Sequence, residues 1–141
     1  MSDHLLRFIE AQQTDFPNAL AEVKNGKKWG CWMWTVFPQL RGLGYSERSH
    51  YFGIEDIHEA RAYIQHPVLG SRLRQITQAL LEQSESNARL IFGSPDDLKL
   101  HACMTLFSTI DQQEDKLFER AIERFFHAAP HKETLSLLYK Q

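Results

Sequence analysis

The sequence predicts an all-α protein that folds as a single compact domain over residues 1–141, with about seven to eight short helices around one core. Apolar residues recur with helical spacing in nearly every segment, and no stretch alternates apolar and polar residues as a half-buried strand does. With 141 residues, 43% of them hydrophobic, the chain is long enough to bury one core without disulfide bonds.

The N-terminal segment predicts two helices that a proline separates. The first helix is indicated by the helical spacing of Leu5, Phe8, Ile9 and Gln12. Phe16-Pro17 is expected to end it, because proline lacks the N–H that a helix interior requires. The second helix is expected over residues 18–25 and ends at Gly26, a usual residue after a helix C-terminus.

A tryptophan-rich segment, residues 29–37, predicts the third helix, which Pro38 ends. Five bulky side chains in it share one helical face: Trp29, Trp32, Met33, Val36 and Phe37. Trp34 points roughly 140° away from that face, at 100° per residue. Trp34 is therefore expected either to be packed by a second layer of the protein or to be available to a ligand.

Start and stop signals predict the remaining helices. Ser46 is expected to begin a short helix. Ser94, which Pro95 and two aspartates follow, is expected to begin another helix and is the clearest start signal in the chain. Asp111 and Glu114 have the spacing of a capping box, and His66 before Pro67 is expected to be a turn or capping group. The helices are expected over residues 57–65, 68–83, 94–109, 117–125 and 132–139, with a short apolar segment at 90–93.

Composition excludes several classes of protein. A net charge of −2 without a basic cluster argues against nucleic-acid binding, and no apolar run approaches the ~20 residues that span a membrane. The first residues lack a secretory signal, and two distant cysteines are typical of a reducing compartment, so a cytoplasmic location is expected. Cys31 and Cys103 are both expected to be buried, inert thiols.

The sequence predicts no metal site and no cofactor. His101 and Cys103 are two residues apart and so lie on different faces of a helix. No Cys-x-x-Cys occurs. Asp97 could serve as a general base, but its place in a first helical turn already explains it. No complete catalytic set is visible, so the catalytic residues are unknown and an enzymatic activity stays open.

Several ordered motifs are similar to one bacterial family, the domain of unknown function 1810, whose members are sometimes mislabelled as calpastatin. The matching motifs lie in residues 32–39, 42–46, 59–73, 92–100 and 104–107, among them Trp32-Met-Trp, Phe37-Pro-Gln, His66-Pro-Val-Leu-Gly, Phe92-Gly, Pro95-Asp-Asp and Met104-Thr-Leu-Phe. The resemblance covers nearly the whole chain. It implies a compact, mostly helical fold and gives no activity.

The chain departs from the family pattern at two places. Gly30-Cys31 stands where the family usually has Ser-His, and Ala102-Cys103 where it usually has Ser-Ser. The loss of a histidine and of serine hydroxyls weakens general catalysis by these positions, although they could still line a pocket.

Five residues are the candidate ligand-binding set: Trp34, Gln39, Tyr45, Lys99 and Thr105. Lys99 lies at the edge of an apolar helix face, where its ammonium could hold an anion or phosphate. The alternative is a lysine that pairs with Asp96 at i−3. The set predicts a cleft for a planar, anionic, nucleotide-like small molecule, with an enzymatic activity on it as a variant. The alternative function is a non-catalytic structural or protein-interaction module, whose protein partner is unknown.

Overall fold

The computed structural model describes residues 3–140, which form a 3₁₀ turn at Asp3–Leu5 and nine α-helices. The helices are α1 (Leu6–Lys24), α2 (Met33–Val36), α3 (Glu47–Tyr51), α4 (Ile57–Gln65), α5 (Leu69–Leu81), α6 (Ala88–Phe92), α7 (Asp96–Ile110), α8 (Leu117–Phe126) and α9 (Lys132–Tyr139). The described residues contain no strand, only an isolated parallel bridge between Leu40 and Ile54. The all-α fold class and the single compact domain are confirmed.

Helix α1 corrects the expected break at Phe16-Pro17, because the helix continues through the proline. The Pro17 ring faces solvent, whereas Phe16, Ala19 and Val23 are buried on the opposite side. A proline in a helix interior costs about 3 kcal/mol. Burying one large apolar side chain contributes about 1.5–3 kcal/mol, so the packed face of α1 outweighs one lost hydrogen bond.

The tryptophan helix is also corrected, because only Met33–Val36 is helical and Trp29 is 79% exposed. A carboxylate from α1 explains the difference. Oε1 of Glu22 accepts hydrogen bonds from the backbone N–H of Trp29 at 2.6 Å and of Gly30 at 2.9 Å. It also accepts one from the indole N–H of Trp32 at 2.9 Å. These bonds hold residues 29–32 as a loop.

Other helix ends test the capping predictions. The hydroxyl of Ser46 accepts from the N–H of Ser49, and the ring of His66 accepts from the N–H of Val68, as expected of capping residues. Ser94 does not cap α7, which follows Pro95 without a side-chain cap. The capping box at residues 111–114 is wrong, since α8 begins at Leu117 after a left-handed Lys116.

The core is built around α7, which packs against α2, α4, α6, α8 and α9. A row of aromatic rings crosses it, from Phe8 to Tyr63 at 5.2 Å, Phe107 at 5.5 Å and Phe118 at 5.9 Å between successive centroids. A second aromatic cluster lies at the two ends of α2, where Trp32 and Phe37 flank the helix and both contact Phe92. Within residues 3–140, no helix combines the length and apolar character needed to cross a membrane.

Candidate functional site

The structure brings Trp34 and Lys99 together across a surface cleft. The ammonium nitrogen of Lys99, on α7, lies 4.1 Å from the centroid of the Trp34 ring, on α2. At this distance the cation interacts directly with the face of the indole. The cleft has a volume of about 200 Å³ and is lined by Lys28, Cys31, Met33, Trp34, Arg48, Asp96 and Lys99.

Asp96 ties the two lysines of the cleft together. Its Oδ1 lies 2.9 Å from Nζ of Lys99, and its Oδ2 lies 2.8 Å from Nζ of Lys28. Burial opposes ionisation of Asp96, but the hydrogen bonds and charges of the two lysines outweigh it, so the pKa of its carboxyl is lowered. The Lys99–Asp96 pair expected from the i−3 spacing is therefore present, and it forms part of the cleft.

Arg48 completes the charged lining from α3. Its guanidinium lies 5.1 Å from the centroid of the Phe52 ring. No hydrogen bond of the Arg48 guanidinium is found among the described residues, whereas both lysines are paired with Asp96. The cleft thus holds three cations against one carboxylate, a formal net charge of +2.

Glu22 positions the cleft without lining it. Its carboxylate fixes the loop that carries Lys28 and Cys31 through the three N–H bonds described above. Burial opposes the charge of Glu22, but those hydrogen bonds and the nearby Lys28 lower the pKa of its carboxyl. The ammonium of Lys28 also bonds to the carbonyl of Gly30 and lies 5.1 Å from the Trp32 ring.

The other three predicted ligand residues do not line this cleft. Gln39 is 6% exposed, and its backbone carbonyl accepts from the N–H of Ile54. Tyr45 is fully exposed and lines a different cavity, beside Leu137 of α9. Thr105 is buried, and its hydroxyl accepts from the N–H of His131, which holds the start of α9. The geometry gives Thr105 a structural bond and leaves its ligand role a prediction.

The two cysteines differ, which corrects the expectation that both are buried. Cys103 is buried in α7, and burial raises the pKa of its thiol well above the ordinary value. Cys31 is exposed and lines the cleft, because the loop held by Glu22 turns it outward. In the described part of the chain, no group of three or more His, Cys, Asp or Glu side chains is placed to hold a metal ion.

Sequence reasoning missed Lys28, Arg48, Glu22 and Cys31 as parts of the site. Lys28 directly precedes the tryptophan segment, which is the one signal that pointed to it. Glu22 lies on the long helix α1 and Arg48 on the short helix α3, both at ordinary polar positions. Only the packing of α1, α3 and α7 against α2 shows that they meet.

The fold and the cleft define the class: a small all-α protein with one positively charged, tryptophan-bearing surface cleft. Residues 2–138 match the family described as "Protein of unknown function (DUF1810)", and the chain belongs to that family. It is similar to the crystal structure of the conserved hypothetical protein Rv1873 from Mycobacterium tuberculosis. The two share 38% identity over 96% of each chain, with a TM-score of 0.92. Comparison with curated proteins returns no match.

Proposed function

We propose that this protein binds a small planar anionic ligand, nucleotide-like in character, in the cleft between Trp34 and Lys99. The contact between the Lys99 ammonium and the Trp34 ring, 4.1 Å apart in a cleft open to solvent, carries the proposal. A fully packed indole and a lysine directed into bulk water would have argued against it. Instead, Trp34 is partly exposed and both side chains face the same cleft.

The lining assigns different tasks to different groups. The Lys99 ammonium covers part of one indole face, so a planar ligand contacts the exposed remainder of the Trp34 ring. The anionic group of the ligand meets Lys28, Arg48 and Lys99. Ligand pockets for drug-sized molecules usually measure about 300–1,000 Å³. A cleft of about 200 Å³ therefore encloses one end of a nucleotide-sized ligand.

An enzymatic activity on this ligand would depend on binding and orientation. Cys31 is the one thiol in the lining, and the lining contains no histidine to activate it. Asp96 is engaged by two lysines, which makes it a poor general base. We therefore assign no catalytic residue. A cytoplasmic location, supported by the two free thiols, belongs to the proposal, and nucleic acid is not proposed as a partner at a net charge of −2.

A thermal-shift screen tests the proposal. Purified protein is heated with nucleoside mono-, di- and triphosphates, dinucleotides, sugar phosphates and small aromatic acids, and the screen is repeated with Lys99→Ala. A ligand at 100 times its dissociation constant stabilises the native state by about 2.7 kcal/mol. For a domain of this size that is a shift in Tm of roughly 5–11 °C. We expect at least one hit, and its loss in Lys99→Ala.

Lys132→Ala is the matched control, because Lys132 is an exposed lysine on α9, away from the cleft lining. The hit must persist in this control. A hit that survives Lys99→Ala lies elsewhere on the protein and contradicts the proposed site. A flat screen with wild-type protein argues against ligand binding altogether.

The second candidate is a non-catalytic structural or protein-interaction module. The observation that favours it is Trp29, whose indole is 79% exposed in a loop that Glu22 holds in place. Exposed tryptophans are enriched at protein interfaces. Sedimentation of the wild type and of Trp29→Ala over a range of concentrations tests it. Self-association that is lost in Trp29→Ala, together with a flat ligand screen, would favour this candidate.

A further inference from the structure

We infer that the anionic group recognised in the Trp34–Lys99 cleft is a dianionic phosphoryl group, carried by a phosphomonoester with a planar ring. This inference rests on the proposed function and names its ligand class. Its basis is the balance of charge and hydrogen-bond donors in the cleft.

The charge balance favours a dianion over a monoanion. Lys28, Arg48 and Lys99 face one carboxylate, that of Asp96, in the lining. The carboxylate of Glu22 interacts with the charge of Lys28, but it accepts from three N–H groups of residues 29–32 and does not line the cleft. A carboxylate or sulfate ester would leave one positive charge unmatched, whereas a phosphomonoester carries about −1.5 to −2 at pH 7.

The unused hydrogen-bond donors also fit a phosphoryl group. An ammonium has three N–H donors, and Lys99 uses one of them on Asp96. Arg48 has five guanidinium donors, and none of them is in a hydrogen bond among the described residues, where the guanidinium lies 5.1 Å from the centroid of the Phe52 ring. A phosphoryl group offers three strong acceptor oxygens, which suits donors arriving from different helices. A carboxylate has only two acceptor oxygens, so more of these N–H donors would remain hydrogen-bonded to water.

The site is built from separate parts of the chain, which sets it apart from a chance cluster of surface lysines. Lys28 follows α1, Arg48 lies on α3 and Lys99 lies on α7, around Trp34 of α2. The side chain of Lys28 is 9% exposed and that of Lys99 is 21% exposed, so both ammonium groups are held in place. Arg48 is exposed, so the cleft lining combines two ammonium groups held in place with one solvent-accessible guanidinium.

Three ligands with the same ring separate charge from shape. Phenyl phosphate and phenyl sulfate have nearly the same tetrahedral shape but carry two charges and one, and benzoate carries one charge on a planar group. We expect calorimetric titration at pH 7.5 to show phenyl phosphate binding about tenfold more tightly than phenyl sulfate or benzoate. At pH 5, below the second phosphate pKa of about 6, that preference should shrink to about twofold.

Variants place the binding. Arg48→Gln removes a charge whose contact is the Phe52 ring, so we expect a normal fold and a tenfold preference reduced to about threefold. Lys99→Met keeps the stem against Trp34 and should reduce it similarly. The controls Arg61→Gln and Lys132→Met change exposed cations outside the cleft lining and should leave the preference unchanged.

The outcomes separate this inference from the proposed function. Equal affinity for the phosphate and the sulfate overturns the dianion and leaves the planar anion site standing. Tight phenyl phosphate binding that Arg48→Gln and Lys99→Met do not alter overturns the placement of the phosphoryl group. Inorganic phosphate that binds as tightly as phenyl phosphate upholds the dianion but contradicts the ring contact of the proposed function. No binding of any of these ligands, with a flat nucleotide screen, overturns both.

Discussion

Two clusters of oppositely charged side chains in this molecule differ in how many of their hydrogen-bond donors are paired. In the first, the Arg7 guanidinium pairs with Glu59, the side chains being 6% and 8% exposed, and also bonds the carbonyls of Tyr51 at 2.7 Å and Gly53 at 2.9 Å. Glu59 also accepts from the N–H of Glu55. In the second, the Trp34–Lys99 cleft, the lysines share one carboxylate and keep donors unused.

The difference separates a structural ion pair from a site with binding capacity. Buried charges are tolerated when hydrogen bonds satisfy them, and the Arg7–Glu59 cluster meets that condition while it connects α1 to the end of α3, the following loop and α4. The cleft is more exposed and has an excess of positive charge. Its charges therefore contribute less to folding and remain able to interact with an anion.

The largest effect is expected from breaking the buried pair. Arg7→Met leaves Glu59 buried without its partner, and removing one member of a buried pair costs about 3–5 kcal/mol. Urea unfolding should show a loss of that size. Arg7→Met combined with Glu59→Leu should recover part of it, because no unpaired charge remains. A single variant as stable as wild type would contradict the structural role of the pair.

The next effect concerns the loop that carries one wall of the cleft. Glu22→Ala leaves the N–H groups of Trp29, Gly30 and the Trp32 indole without their acceptor. Since hydrogen bonds to a charged group contribute about 1.5–3 kcal/mol in net terms, and the groups around Glu22 are partly solvated, we expect a loss of about 2 kcal/mol. Glu22→Gln keeps one acceptor oxygen and should lose less. Equal unfolding midpoints for Glu22→Ala and wild type would show that the loop holds itself.

The next prediction concerns a titratable region outside both clusters, the pair His101 and His131, and is tested by varying the pH. Burial lowers the pKa of His101 on α7 and of His131 before α9, and each ring lies 5.3 Å from the other. The neighbouring His101 lowers the pKa of His131 further. The charge of Glu133 acts in the opposite direction and raises the pKa of both rings, and the charge of Asp97 raises that of His101. The ring of His131 also accepts from the N–H of Thr134, which requires an unprotonated nitrogen.

The sign follows from linkage. Because both pKa values are lower in the folded state than the ordinary 6.5, the unfolded chain binds protons first as the pH falls. The stability from these rings is therefore complete above pH 6.5 and decreases as the pH falls through the folded pKa values. We expect Tm to be lower at pH 5.5 than at pH 7.5. His131→Asn, which keeps an N-cap acceptor, should flatten this dependence, and an unchanged slope would assign it to other groups.

The smallest effect is expected in the cleft itself. Lys99→Met removes a pair in which both side chains are 21% exposed, and Asp96 keeps Lys28 as its partner. Partly exposed pairs contribute at most about 1 kcal/mol, and methionine retains contact with the Trp34 ring. Unfolding free energies of wild type and variant should differ by less than about 1 kcal/mol, even though the preference for phenyl phosphate is reduced. A loss as large as that of Arg7→Met would show that the cleft is structural.

The sequence predicted local structure well and the meeting of distant residues poorly. Residues 57–65 were bounded correctly because their helix carries its own start and stop signals. The tryptophan segment was extended too far because a carboxylate on α1 takes its N–H groups, a long-range competitor that periodicity does not reveal. Pro17 was expected to end its helix, but α1 continues through it, because tertiary packing outweighed the local effect of the proline.

For the site, helical spacing alone separated Trp34 from the core face of its segment and placed Lys99 at the edge of its own. Their contact spans 65 positions of the chain, so only the fold shows that they belong together. Thr105 is a predicted ligand residue within a family motif, yet its hydroxyl accepts from the N–H of His131, just before α9. Such a partner depends on how the last helix docks.

Asp96 has one more consequence for the cleft. Three like charges around about 200 Å³ would repel one another when no ligand is bound, which works against the compact state. The carboxylate between Lys28 and Lys99 reduces that repulsion, so the empty cleft destabilises the fold less. The same carboxylate is a tethered competitor that every incoming anion has to displace or share. Asp96 thereby lowers the affinity for an anion and, in return, lowers the repulsion in the empty cleft, so that bound ligand adds to the stability of the fold.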